Sequence, residues 1–471
     1  MNVRMPEIGF YTLAGQANDP RALIEEVREA EALGIGECFV SERFSTKEAA
    51  TICGAVAAVS DSIGICTGAT NHNTRHPIVT AAHATTMHRL SGGRFTLGLG
   101  RGIAPLQRAF GMPTVTTAQL EEFATLMRRL FHGDTILGYD GVLGAYPALR
   151  LDPDFDEDVK LGLVAFGPNS LALGGRAFDK VILHTFFTDE TLQRCVRTVK
   201  ESAEQAGRNP DDVEVWSCLA TVGDHLPAEA RLRKTVGRLA TYLQGYGDLM
   251  VRTNQWDPAA LQRFREDEVV KGFQPPGAAP RVIDSPSTSI DDLEHIAKLL
   301  PDEWLAPSAT GSTDQCAKTV AAQLDLGADG VILHGASPHE LAPIVDSYRA
   351  IRTGSEPERK SDDPTVHWPD RKPYARAALV VAVGVHRRGL DRIDDGEGGR
   401  HRPDGQQLPT GPHLRRPPSR QCAGLGDSQG FQPGRVQSPD GRSYQRVSSR
   451  SSLLPEPGGC CGSTRPPLLP R

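Results

Sequence analysis

Short apolar runs rich in β-branched residues alternate along this chain with amphipathic stretches that begin on helix-capping residues. Runs at 8–12, 37–41, 62–67, 95–100, 159–166, 180–184, 213–221 and 330–334 read as strands, several ending in Gly, Thr or His. Between them lie helix signals. Asp19-Pro20 supplies an N-cap and a first-turn proline, and Gly34 stops the helix that follows. Thr116 with Gln119 and Ser312 with Gln315 form capping boxes, and Ser337-Pro338-His339-Glu340 combines a cap, a first-position proline and an N3 glutamate.

Near-continuous apolar strands, each followed by a helix, suit a parallel α/β sheet covered on both faces. Eight such units in about 350 residues predict a (β/α)8 TIM barrel. Two segments interrupt the alternation. Residues 133–151, rich in Gly, Tyr and Pro, predict a hairpin-like excursion. Residues 227–311 predict an insertion between strands 7 and 8, where barrels build substrate pockets or dimer contacts.

Composition divides the chain near residue 356. Residues 1–355 carry the barrel pattern. Residues 356–471 are rich in Arg, Pro, Gly and Ser and predict a low-complexity, disordered tail. Its excess of Arg over Lys, with Gly-Gly-Cys-Cys-Gly near the end, fits GC-rich DNA read out of frame, so a frameshift product is the expectation. The net charge of −6 calls for neither nucleic acid nor a membrane surface. The longest apolar run, 377–385, falls far short of the roughly 20 residues that span a bilayer. No signal segment opens the chain, and a cytoplasmic location is expected. The nine cysteines include no CxxC pair, which argues against a zinc site or disulfide framework; Cys38, Cys66 and Cys218 read as buried small apolar residues.

In a barrel the strand C-termini share one mouth, so the polar residues there are the candidates for chemistry. They are Ser41–Phe44 with Glu42-Arg43, Gly68-Ala69-Thr70-Asn71-His72, Gly100-Arg101-Gly102, Gly167-Pro168-Asn169-Ser170, His184 and His334. Gly167–Ser170 opens a helix and reads either as a phosphate seat or as a plain turn and N-cap. His184 and His334 are acid–base candidates or strand-capping histidines. Glu42 and Arg43 are a catalytic couple or a local ion pair. A metal or Schiff-base aldolase lacks its ligand cluster and its strand-end lysine.

Four motifs in register carry a resemblance. They are Phe39-Val40-Ser41-Glu42-Arg43-Phe44, Thr67-Gly68-Ala69-Thr70-Asn71 with Thr74-Arg75-His76-Pro77, Leu90-Ser91-Gly92-Gly93-Arg94-Phe95 with Gly98-Leu99-Gly100-Arg101-Gly102, and Gly327-Ala328-Asp329-Gly330-Val331. Over about residues 5–352 the chain resembles the luciferase-like (bacterial luciferase) superfamily, and within it the branch using the deazaflavin coenzyme F420. The resemblance implies a coenzyme ring in the barrel mouth and a non-prolyl cis peptide at Gly68–Ala69 against one ring face. It further implies Thr70 and Asn71 at the ring edge, Arg101 and Gly102 at the ribityl chain, Gly167, Pro168, Asn169 and Ser170 at the phosphate, and Glu42 as an acidic coenzyme contact. The acid and base of the family's sugar-phosphate dehydrogenases are replaced here by Arg43 and Ile103, which carry no such chemistry, so that activity is excluded. His72 and His184 are left as the titratable candidates.

The expected function is F420-dependent hydride transfer to or from a small organic substrate. The alternatives are an FMN-dependent luciferase-like monooxygenase and a non-catalytic deazaflavin-binding protein. The resemblance also suggests a homodimer.

Overall fold

The computed structural model describes residues 3–14, 19–44, 46–275 and 281–354. The expectation of a disordered tail at 356–471 lies outside the described residues. Eight parallel strands close into a barrel: β1 (Met5–Tyr11), β2 (Ile35–Val40), β3 (Gly64–Thr67), β4 (Phe95–Leu99), β5 (Lys160–Val164), β6 (Lys180–Ile182), β7 (Glu214–Gly223) and β8 (Gly330–His334). Each pairs with its neighbour in chain order, and β8 closes on β1 through Gly9↔Ile332. The eight barrel helices are α1 (Leu23–Ala32), α2 (Ala49–Val59), α3 (Pro77–Leu90), α4 (Thr117–Phe131), α5 (Pro168–Ala177), α6 (Asp189–Gln205), α7 (Thr313–Asp325) and α8 (Pro338–Thr353).

The caps form where the sequence places them. Thr116 Oγ1 accepts from the Gln119 amide at 3.1 Å, and Ser312 and Ser337 cap α7 and α8 in the same way. One strand escaped the pattern. Ser308–Gly311 runs parallel to the last four residues of β7, with Ser308 opposite Ala220 and Gly311 opposite Gly223. Four small, mostly polar residues show no apolar run to read. Their pairing also explains why β7 extends to Gly223, past its expected end at 221.

Phe39, Cys66, Ile182, Trp216, Cys218 and Ile332 fill the barrel interior, with Tyr11 and Val164 packed against them. The Phe39 and Trp216 rings meet edge-on at 5.2 Å. A Cβ on Gly330 would stand 2.6 Å from the Trp216 indole, so only glycine leaves room for that ring. Cys38, Cys66 and Cys218 are buried and free, as expected.

The 133–151 excursion is an antiparallel hairpin, Ile136–Gly141 against Gly144–Leu149. The insertion is helical and has its own core, in which the Trp256 and Trp304 rings stack at 4.9 Å. Its longest helix, Arg238–Asn254, follows one wide π turn at Arg233–Gly237 and lies over the barrel mouth. Among the described residues no helix is long and apolar enough to cross a membrane, and no three His, Cys, Asp or Glu side chains converge as metal ligands.

Candidate active site

The loops after β2, β3 and β4 clasp one another. The Glu42 amide donates to the Ala69 carbonyl at 3.0 Å, and the Thr70 hydroxyl donates to Glu42 Oε2 at 3.1 Å. Asn71 Nδ2 donates to the Gly100 carbonyl at 2.7 Å, while the Gly100 amide donates back to the Thr70 carbonyl at 2.9 Å. The Gly68–Ala69 peptide at the centre of this clasp is cis, where the resemblance placed it. A Cβ on Gly100 would stand 3.0 Å from the Ala69 Cβ, and one on Gly68 the same distance from the Tyr11 hydroxyl oxygen. Bare backbone is therefore what this side of the mouth offers a ligand.

The polar side chains of the clasp are occupied with one another. The Glu42 side chain is buried, and its second oxygen accepts the Ala49 amide at the start of α2, at 3.1 Å. The expected Glu42–Arg43 couple does not form. Glu42 Oε2 instead lies 3.4 Å from Arg75 Nη2, and Arg75 also reaches Glu48. The Arg43 backbone bridges to Lys47. Arg101 is exposed, with Nε donating to the Val115 carbonyl at 3.0 Å. Gly102 sits at φ 70°, close under Gln107 and Asn71.

At α5 the structure shows less of a phosphate seat than the free amides expected there. The Phe166 and Gly167 amides both donate to Ser170 Oγ, at 3.1 and 3.2 Å, and the Ser170 amide donates to the Gly167 carbonyl. Pro168 has no N–H to give, which leaves exposed Asn169 as the open polar group of the turn.

The two titratable candidates part company. His72 is buried, its ring 5.2 Å from Phe123 of α4, and it lines a cavity of about 230 Å3 under the hairpin with Arg75, Gln119 and Tyr146. Burial lowers its pKa. This places the His72 ring in the packing between α4 and the hairpin. His184 faces the mouth, 4.6 Å from Phe166, 4.7 Å from Tyr242 and 5.5 Å from Tyr246, with Nδ1 3.2 Å from the Thr185 carbonyl. Burial pushes its pKa down to about 4, so the ring is neutral at pH 7. His334, at the end of β8, is also neutral: burial first, then Arg238, His184, Arg43 and Lys234, hold it well below the usual histidine value.

The far wall of the mouth comes from the insertion, where the sequence suggested no residue. Tyr242 Oη lies 3.3 Å from His334 Nε2, and the positive charge of Arg238 acts on the same phenol. Arg238 is buried and anchored by Asp284 at 3.1 Å. Tyr11 completes the circle, its ring edge-on to His334 at 5.3 Å. One signal was available: Arg238, Tyr242 and Tyr246 recur every four residues, which puts them on one helix face.

A closed parallel barrel whose strand ends converge on an aromatic, titratable mouth defines an α/β-barrel enzyme. Residues 5–330 match the luciferase-like monooxygenase family, and the chain belongs to it. It is thus an oxidoreductase, and the non-catalytic reading falls away. Among its relatives is the 5,10-methylenetetrahydromethanopterin reductase of Methanolobus tindarius, 27% identical over 241 residues, 49% of this chain and 70% of that protein. The phthiodiolone/phenolphthiodiolone dimycocerosates ketoreductase of Mycobacterium tuberculosis is 30% identical over 191 residues, 39% of this chain and 50% of that one. The coenzyme F420-dependent tetrahydromethanopterin reductase from Methanopyrus kandleri shares the fold at a TM-score of 0.61 and 18% identity, over 74% of this chain and 99% of that one.

Proposed function

We propose that the chain is an F420-dependent oxidoreductase that moves a hydride between the deazaflavin and a small organic carbonyl or alcohol. The observation that carries the reading is the backbone face at Gly68–Ala69 and Gly100, clasped by Glu42–Thr70 and Asn71–Gly100, with Tyr11 against Gly68 and with His334, His184 and Tyr242 continuing the aromatic cluster from Tyr11. Flat aromatic groups and a backbone surface with few side chains are what a planar ring packs against. The names of the relatives, an F420-dependent reductase and a ketoreductase among them, support the coenzyme and the carbonyl.

When bound, the coenzyme would supply the hydride. The protein would supply placement. Gly68, Ala69, Thr70 and Asn71 would hold the ring through backbone, with Glu42 fixing the loop from behind. Arg101 and Gly102 would border the ribityl chain, and Asn169 would meet the phosphate on a turn that Ser170 holds in shape. The aromatic side chains packed at the mouth would keep water from the reacting carbon. The reading confines the catalytic unit to residues 1–355.

Fluorescence titration of the full chain, and of a chain ending at residue 355, against F420 and FMN tests it. Micromolar F420 affinity in both proteins, without FMN binding, is the expected result. Preference for FMN would replace the reading with a flavin monooxygenase, and binding by the full chain alone would overturn the domain limit.

A further inference from the structure

Reducing a carbonyl needs a proton for the oxygen as well as a hydride for the carbon, and the obvious donors at this mouth are disabled. Arg43 stands at one position and Ile103 at another, and the two mouth histidines, His184 and His334, are neutral at pH 7. Three phenols remain: Tyr11, Tyr242 and Tyr246. They differ in what surrounds the oxygen.

The Tyr11 hydroxyl abuts Gly68, and its charged surroundings are dominated by burial and by the Cys218 and Cys66 thiols, all of which oppose a phenolate. Tyr246 is held up to about 12 by burial and by Tyr242. Around the Tyr242 oxygen, by contrast, stand two nitrogen groups, His334 Nε2 at 3.3 Å and the Arg238 guanidinium. Arg238 is fixed by Asp284, and His334 is 7% exposed with no partner for Nδ1. The Tyr242 ring is half-buried and touches His184 edge-on. Burial keeps the phenol protonated at neutral pH, against the opposing pull of Arg238 and Arg43, while Cys218 adds to the burial. An acid that is protonated at rest and whose conjugate base lies beside an imidazole nitrogen and a guanidinium charge is suited to general acid catalysis.

The geometry points to Tyr242 as the proton donor of the hydride transfer, with Arg238 and the Nε2–H of His334 positioned to hold the phenolate it leaves. This rests on the proposed function and narrows the substrate to a ketone or aldehyde, or the matching alcohol in reverse. In the reducing direction the carbonyl carbon takes the hydride pair from the reduced deazaflavin, which is oxidised. The C=O π pair goes to oxygen, which takes the Tyr242 proton to give the alcohol. The phenolate then regains a proton from water. In the oxidising direction Tyr242 is the base.

The test pairs kinetics with spectroscopy. Tyr242→Phe should bind F420 as the parent does and reduce simple ketones about a hundredfold more slowly in kcat. A Tyr242→Phe protein within threefold of the parent kcat would overturn the assignment. Independently of any coenzyme, the difference between parent and Tyr242→Phe in ultraviolet absorbance against alkaline pH isolates the ionisation of this one phenol. His334→Phe should move that ionisation upward, and His334→Gln, which keeps an N–H, should leave it near the parent value; an unmoved ionisation in His334→Phe would also overturn the proposal. A parent that binds no F420 refutes the functional reading alone, since the absorbance arm still decides whether His334 holds the phenolate.

Discussion

Lys180 Nζ stands 3.0 Å from Glu37 Oε1, joining the start of β6 to β2 inside the barrel across 143 residues of sequence. Glu214 lies 3.3 Å away on the other side, and the ammonium sits 4.7 Å from the centre of the Trp216 ring. Burial alone would lower the pKa of Lys180; Glu37 foremost, then Cys66 and Glu214, hold it above its ordinary value. The charge is kept because its partners are already in place. Lys180→Met leaves Glu37 buried without a counter-charge and should cost about 3–5 kcal/mol in urea unfolding. Adding Glu37→Leu should restore most of that loss.

Asn71 ties the third βα loop to the fourth through its 2.7 Å bond to the Gly100 carbonyl. Asn71→Ala leaves that carbonyl without its side-chain donor, at about 1–2 kcal/mol in unfolding free energy. Because the bond sets the spacing of the two loops under the proposed ring, F420 affinity should fall more than tenfold, as read by fluorescence titration.

Gly102 occupies the left-handed region, where a side chain costs about 1 kcal/mol. A Cβ there would also come within 2.6 Å of Gln107 Nε2, which donates to the Arg101 carbonyl at 2.9 Å. Gly102→Ala should thus displace Gln107 and loosen the Arg101 loop. The melting temperature should drop by a few degrees, with a larger proportional loss of coenzyme binding.

Acid should unfold the protein through its histidines before its carboxylates. Burial holds both His83 and His184 down to about 4, and His72 and His334 shift in the same direction. Between pH 6.5 and 4 the unfolded chain binds protons that the folded one refuses. Stability is therefore whole above 6.5 and falls with acidification, by about 1.4 kcal/mol per pH unit for each such group. Urea midpoints at pH 7, 6 and 5 check the slope, and His184→Gln should reduce it.

The strands, caps and glycine-ended turns were legible because they are local: period, cap and breaker act over a few residues. The loops 68–71 and 100–102 were legible as a mouth for the same reason, once eight strands implied a barrel. Their side-chain partners were not. Glu42 stands next to Arg43 in sequence yet pairs with Arg75, because the chain turns after β2 and the third βα loop folds across it. His72 is one residue from Asn71 yet packs on Phe123, since the turn there sends successive side chains to different layers. The Ser308–Gly311 strand went unseen because its stabilisation comes from the β7 edge rather than from its own composition.

The sequence by itself determined the alternation, the barrel and the mouth loops, and its motifs carried the family resemblance that implied the cis peptide. Only the tertiary structure decided which groups meet. Tyr242 lies 92 residues from His334, and Arg238 lies 46 from Asp284, yet each pair is within about 3.3 Å. Periodicity reports which face of an element is buried; it carries no information on which other face it is buried against. That partner is set by the packing of the insertion over the barrel, and with it the chemistry of the mouth.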